Sequence, residues 1–250
     1  MEYLVHRPGV KAGAPSSPPA LETGGSHPEL AGVWDMNAGV ENLPEILDTL
    51  NAAQSRVRFA EVLAAVPPGL VSQAKSVRQW SRTIGKGLGA ATGAPPAENV
   101  WAHDFLPQAQ LVAQDLGLDF VVGLTGSMVA FVEHGAKHWN YFTWSDGRSV
   151  SVISCYQVRE FAREAGRTFE AAVGHLIVAE ILAQRNPDIV YHPEDRGCLF
   201  DFTGVRQNLV LGLRKMIVEP ACLRTLAEPW RPVGNAWMKA LREYEGETGG

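Results

Sequence analysis

The chain has 250 residues, 46% of them hydrophobic and 20% charged, with a formal net charge of −5. That length buries one sizeable core, or a core with a small lobe, and leaves no room for two full domains. A pI near 5.8 without a Lys/Arg-rich block argues against nucleic acid as the main partner, and three cysteines exclude a disulfide scaffold and fit a reducing cytosol.

From Met1 to about Gly32 the chain carries five prolines and five glycines with no apolar periodicity. Such a segment buries too little surface to offset its ordering entropy, so a tail over 1–32 and a single α/β domain over 33–250 are expected. A short strand at Tyr3–His6 is the one local element it could hold. Order is expected from near Val33. Asn42-Leu43-Pro44 opens a helix with Leu43, Ile46, Leu47 and Leu50 on one face, and Val57 to Val62 alternates as a strand.

A helix is expected from Leu70 to Thr83, with Val71, Ala74, Val77 and Trp80 on one face. Gly85 to Pro96 then reads as a loop, whose Gly85-Lys86-Gly87-Leu88-Gly89 lacks the spacing of a phosphate cradle. Leu106 to Leu116 reads as a helix stopped by Gly117. Four strands follow, at Asp119–Leu124, Met128–Glu133, Trp139–Trp144 and Ser149–Ser154. Ser145-Asp146-Gly147 turns the last two back on each other as an antiparallel pair. Helices are expected at Gln157–Ala165, Thr168–Gln184, Leu209–Val218 and Val233–Tyr244. The second is apolar nearly all round and so should lie buried against a sheet. The segment from His192 to Phe202 is irregular. The expected class is α/β, with a mixed, partly antiparallel sheet of four or five strands packed with helices.

Candidate chemistry gathers between Ser149 and Leu226. His192-Pro193-Glu194-Asp195-Arg196-Gly197-Cys198 sets an imidazole and a thiol around a Pro and a Gly, and Cys222 follows. Imidazole nitrogen and thiolate sulfur are zinc donors, so His192, Cys198 and Cys222 are the candidate metal ligands. Against this, free Cys is among the most buried residue types, and no Cys-x-x-Cys accompanies the three. His134 and His138 stand four apart but between two strands, where their side chains need not converge. Cys155 sits between a strand and a helix, where helix N–H groups could lower a thiol pKa and make it a nucleophile with His134, His138 or His175 as base. Arg196 and Asp201 are placed to form a half-buried ion pair, and the tryptophans, Trp139, Trp144, Trp230 and Trp237 among them, read as packing anchors.

The strand ending VISCYQVREF, the helix bearing His175, then His192, the Gly197-Cys198-Leu199-Phe200 turn and Cys222-Leu223-Arg224-Thr225-Leu226 resemble, over about Asp119 to Leu226, the order of parts in archaemetzincin-type zinc peptidases. In that family a strand leads into a helix with H-E-x-x-H, and a third His, a Cys-x-Met turn and a late Cys-x-x-Cys follow. The resemblance implies a zincin-like fold and zinc as cofactor. It also exposes departures: Leu176 stands where the general-base Glu would be, Ala179 where the second His would be, Phe200 in place of the Met, and Glu219 three residues before Cys222 where a Cys would be. Without that Glu nothing at the expected place activates water.

The expectation is therefore a catalytically degenerate zincin-like domain, a binding or regulatory module in a bacterial multi-component system. An excess of Arg over Lys, 16 to 6, points to a GC-rich bacterium. A protein partner, a cytoplasmic location and no membrane contact are expected with it, since no stretch reaches the roughly 18 apolar residues of a span and no secretory pattern opens the chain. The alternative is an active hydrolase. It would be zinc-dependent through His175, His192 and Cys198 with Glu170, Glu180 or Glu194 as base, or thiol-dependent through Cys155. A third reading makes the chain a structural subunit docked through the Pro15-Ser16-Ser17-Pro18 segment.

Overall fold

The computed structural model describes residues 27–73, 98–133 and 136–245. Strand β1 (Glu29–Asp35), helix α1 (Leu43–Ala52), and strands β2 (Val57–Glu61), β3 (Val71–Gln73) and β4 (Glu98–Trp101) lead into helix α2 (Ala102–Leu116). Strands β5 (Phe120–Thr125), β6 (Met128–Glu133), β7 (Ala136–Tyr141), β8 (Thr143–Ser145) and β9 (Val150–Ser154) follow. Helices α3 (Val158–Ala165), α4 (Phe169–Arg185), α5 (Leu209–Lys215), α6 (Pro220–Thr225) and α7 (Trp230–Glu243) complete the chain.

Two sheets form. The five-stranded sheet runs β2-β1-β5-β9-β8, with its first four strands parallel and β8 antiparallel at the edge. The second, β3-β4-β6-β7, pairs β4 with β6 in parallel and closes with antiparallel neighbours on both sides. The α/β class with a mixed sheet is as expected. The second sheet was not.

Strand alternation sorts the core into two. Phe120, Val122 and Leu124 of β5 join Ala31, Val33 and Ile153 against helices α1, α4 and α7. Val121, Val150, Val152 and Trp34 face α2 and the second sheet through Phe105, Ala109, Val100 and Val129. Gly123 lets α2 approach, because a Cβ there would stand 2.5 Å from the Phe105 ring. Helix α4 runs through the larger core with sixteen of its residues buried, capped by the Thr168 hydroxyl, which accepts from Ala171 N–H. Trp237 is fully buried, donates its indole N–H to Leu50 O at 3.0 Å and meets the Phe59 ring, and Trp230 is buried as well.

Several boundaries differ from the sequence reading, each for a tertiary reason. Strand β1 begins at Glu29, ahead of the expected onset at Val33, because it is zipped between β2 and β5, and Leu118 and Val62 pack on Gly32. Val71–Gln73 is a strand rather than the start of a helix, held by antiparallel pairing with β4, and the rest of that expected helix lies outside the described residues. So do the 85–96 loop, the Tyr3–His6 strand, the Pro15–Pro18 segment and His134. The expected Trp139–Trp144 strand divides at Phe142 into β7 and β8, which serve different sheets. Helix α2 starts four residues early at Ala102, where Ala102 and Phe105 are buried, and Gly117 caps it in the left-handed region as expected. Helix α5 stops at Lys215, where Met216 takes a positive φ of 43° and the chain turns to bridge Cys198 through Ile217. No helix among the described residues is long and apolar enough to cross a membrane.

Candidate metal centre

Four side chains converge where the irregular segment after α4 folds back on itself. His192 bridges Asp201, with His192 N–H donating to Phe200 O and Phe202 N–H to His192 O. Cys198 bridges Ile217, with Leu199 N–H donating to Ile217 O at 2.8 Å. The pairing carries the chain from Ile217 to Glu219 and into α6, which Pro220 opens at a position where its missing N–H costs nothing. Glu219 at the N-cap and Cys222 one turn on therefore face Cys198 and His192. One donor atom from each of His192, Cys198, Glu219 and Cys222 lies within 4.8 Å of every other.

Asp201 builds this loop. Its Oδ2 accepts the backbone N–H groups of Arg196, Gly197 and Cys198 at 2.8, 2.5 and 3.2 Å, while Oδ1 lies 3.0 Å from His192 Nδ1. Burial raises the Asp201 pKa, against the pull of those N–H donors and of His192. Gly197 makes the turn at φ +81°, and a Cβ there would meet Lys215 Cδ at 2.6 Å and Leu211 O at 3.0 Å.

His192 Nδ1 hydrogen-bonds Glu194 O at 3.1 Å and lies 3.0 Å from Asp201 Oδ1, so Nε2 is presented inward, and that atom is buried without a hydrogen-bond partner. It lies 4.0 Å from Glu219 Oε2. The Cys222 thiol is pushed well above its usual pKa by burial first, and then by the neighbouring Cys198, Glu219 and Asp201. Two thiols, a carboxylate and an imidazole nitrogen without a hydrogen-bond partner crowd one point, with the Arg196 guanidinium touching only the carboxylate, at 3.5 Å. A divalent ion inverts that electrostatic conflict, because it favours thiolate and takes up the free nitrogen. The donor set, two sulfurs with one nitrogen and one oxygen, suits zinc.

Of the sequence candidates, His192, Cys198 and Cys222 are brought together, and Glu219 joins them as the fourth donor. The sequence marked Glu219 only as a departure from the resembled pattern. His175 is not in this group. It lies buried in α4, its Nδ1 has no partner, and burial lowers its pKa to about 4, which keeps the ring neutral. Leu176 and Ala179 occupy the same buried helix.

Cys155 is not an activated thiol. It is 5% exposed, burial pushes its pKa up to about 12, and helix α3 begins three residues later behind Gln157 at φ +62°. His138 lies in strand β7, so the pair His134/His138 has no helix to share. The expected Arg196–Asp201 ion pair also does not form. Asp201 takes the Arg196 backbone N–H, and the guanidinium reaches Glu194 at 2.9 Å and Glu219 at 3.5 Å. Of the candidate bases, Glu170 and Glu180 are buried in α4, and Glu194 pairs with Arg196.

No protein-family model and no curated protein matches this chain. Two solved structures are similar to it. A zinc-dependent peptidase from Methanocorpusculum labreanum is 12% identical, with a TM-score of 0.43 over 79% of this chain and 100% of that one. The archaemetzincin from Methanopyrus kandleri, of the family that the sequence resembles, is 16% identical, with a TM-score of 0.45 over 81% of this chain and 94% of that one.

Proposed function

We propose that the chain is a zinc-binding module in which the ion serves architecture and recognition rather than peptide hydrolysis. The observation that carries this reading is the convergence of His192, Cys198, Glu219 and Cys222 around the unpartnered Nε2 of His192. Bound there, zinc would tie the 192–202 segment to the start of α6 and so hold together two stretches that regular secondary structure does not link. His192 and Cys198 supply donors from the loop, Cys222 and Glu219 supply them from the N-terminal turn of α6, and Glu194 O and Asp201 flank the Nδ1 side of the ring that carries the nitrogen.

The absence of hydrolysis follows from α4. The helix that would carry H-E-x-x-H in the resembled peptidases reads His175-Leu176-Ile177-Val178-Ala179, with a neutral, buried imidazole and no carboxylate at the second position. A general base needs both reach and a usable pKa; the His175 imidazole is buried with its pKa lowered to about 4, and Leu176 has no group to take a proton. A partner surface is supported by Val190, Phe202 and Val205, apolar side chains 80%, 41% and 43% exposed on the segment that the centre organises. In a cell the module would act as a binding or regulatory component of a larger assembly.

The test is metal content of the untagged full chain, purified without added zinc, together with its activity on generic peptide substrates. About one zinc per chain, lost when Cys198 and Cys222 are replaced by Ser, and no peptidase activity is the expected result. Metal-free protein, or zinc-dependent hydrolysis abolished by His175→Ala, would overturn it.

A further inference from the structure

Glu219 differs from the other three donors of the centre. Its Oε2 faces two competitors, His192 Nε2 side on at 4.0 Å and the Arg196 guanidinium (Nη1) at 3.5 Å. Its backbone is pinned, because Glu219 N–H donates to Cys198 Sγ at 3.3 Å and Glu219 O accepts from Leu223 N–H at 2.8 Å. Its side chain makes no capping bond to α6, so the carboxylate is free to turn about its own torsions. Arg196 is half exposed and already bridges Glu194 at 2.9 Å, which leaves it a fixed cation at the rim of the site. A carboxylate is also the donor that a borderline-soft ion beside two thiolates and an imidazole holds least firmly.

We propose that Glu219 is an exchangeable ligand. Its carboxylate alternates between the ion and Arg196, and when Arg196 holds it, the face made by His192, Cys198 and Cys222 accepts a small anionic or nitrogen donor from solution. This rests on the reading of the four residues as a zinc centre. Three firm protein donors with a fourth position that can open is the arrangement of a reactive centre, whereas four firm donors make a closed structural one. The ligand class is set by the single position that opens: a monoanion or neutral nitrogen donor of a few atoms.

The experiment uses the full chain loaded with Co2+ and titrated with azide, read by the visible absorption of the cobalt. Thiolate-to-cobalt absorption in the wild type, with a saturable change of the ligand-field bands on adding azide, is the expected result. Glu219→Ala should keep the thiolate band and bind azide about tenfold more tightly, since no carboxylate has to be displaced, a change of about 1.4 kcal/mol. Arg196→Ala should weaken azide severalfold, because the displaced carboxylate loses its second partner. Bands unmoved by azide in the wild type, or an Arg196→Ala protein that binds azide as the wild type does, would overturn the exchange while leaving the metal centre standing. Absence of the thiolate-to-cobalt band would overturn the metal centre itself and the exchange with it.

Discussion

Asp201 sets one oxygen against the His192 ring and holds the loop that carries Cys198 with the other. Oδ1 lies 3.0 Å from His192 Nδ1 and Oδ2 receives three successive N–H groups from residues 196–198. Glu194 O, 3.1 Å from the same ring nitrogen, shares the imidazole with Asp201, so two oxygens aim the ring while one carboxylate positions the loop of the nearer sulfur. Carboxylate partners of this kind orient a metal-ligating histidine without touching the ion.

Asp201→Asn should therefore weaken zinc by about 10–100-fold, as measured by competition with a chromophoric chelator. The amide keeps the size of the side chain but loses the charge that the three N–H groups and the imidazole bind. Affinity equal to the wild type would show that Glu194 O suffices to orient His192.

Gly197→Ala tests the turn. An L side chain at φ +81° costs about 1–2 kcal/mol, and the new Cβ meets both Lys215 Cδ and Leu211 O, the second of which is backbone and cannot move aside. Lower thermal stability and weaker zinc binding should appear together, because the strained residue adjoins Cys198. A loss of stability with zinc affinity intact would separate the turn from the centre.

His175 makes stability depend on pH. Its pKa is about 4 in the folded chain against 6.5 for the free side chain, so between those values the unfolded chain takes up a proton that the native one refuses. The residue has no effect above pH 6.5. As pH falls it destabilises the fold, by about 3 kcal/mol once pH is below 4. His175→Leu should flatten that part of the urea-midpoint profile between pH 6.5 and 4. Identical slopes for the two proteins would mean that the ring is already charged in the native state.

Cys155 should resist iodoacetamide at pH 8 in the native protein and react after unfolding, since the thiol is buried and its pKa is pushed up to about 12. Mass spectrometry of the labelled peptides reads this directly. Rapid native labelling at Cys155 would revive the thiol-hydrolase reading.

Trp237→Ala should cost about 3–5 kcal/mol in denaturant unfolding. The ring is fully buried between α7, α1 and β2, and its removal leaves Leu50 O without its indole donor. Trp237→Phe keeps most of the volume and should cost less, so the difference between the two variants separates packing from the hydrogen bond.

Where periodicity is strong and the element is locally determined, the sequence is a faithful guide. Leu43, Ile46, Leu47 and Leu50 mark α1 because one apolar stripe must be buried. Thr168 and an all-round apolar run mark α4 because nothing but a core accommodates it. Asp146 and Gly147 specify the β8–β9 turn, where Asp146 Oδ1 accepts three backbone N–H groups, from Arg148, Ser149 and Val150. Elements held by partners far along the chain are less legible. The early start of β1 depends on pairing with β5, 89 residues away at Ala31–Phe120. The three residues of β3 have no local reason to be extended apart from β4, and α6 is too short for any periodic signal.

The donor types of the centre and the absence of H-E-x-x-H from the helix bearing His175 are legible in the residues alone, because residue identity decides which atoms can bind an ion or move a proton. The sequence named His192, Cys198 and Cys222 without showing that they meet. That Glu219 completes the set, that Asp201 holds the 196–198 loop beside His192 instead of pairing with the Arg196 guanidinium, and that Cys155 and His175 are buried are results of packing. The first two of those outcomes depend on two bridges, His192 to Asp201 and Cys198 to Ile217, that join segments through backbone pairing. Convergence and burial belong to the packed chain, and no spacing along the sequence encodes them.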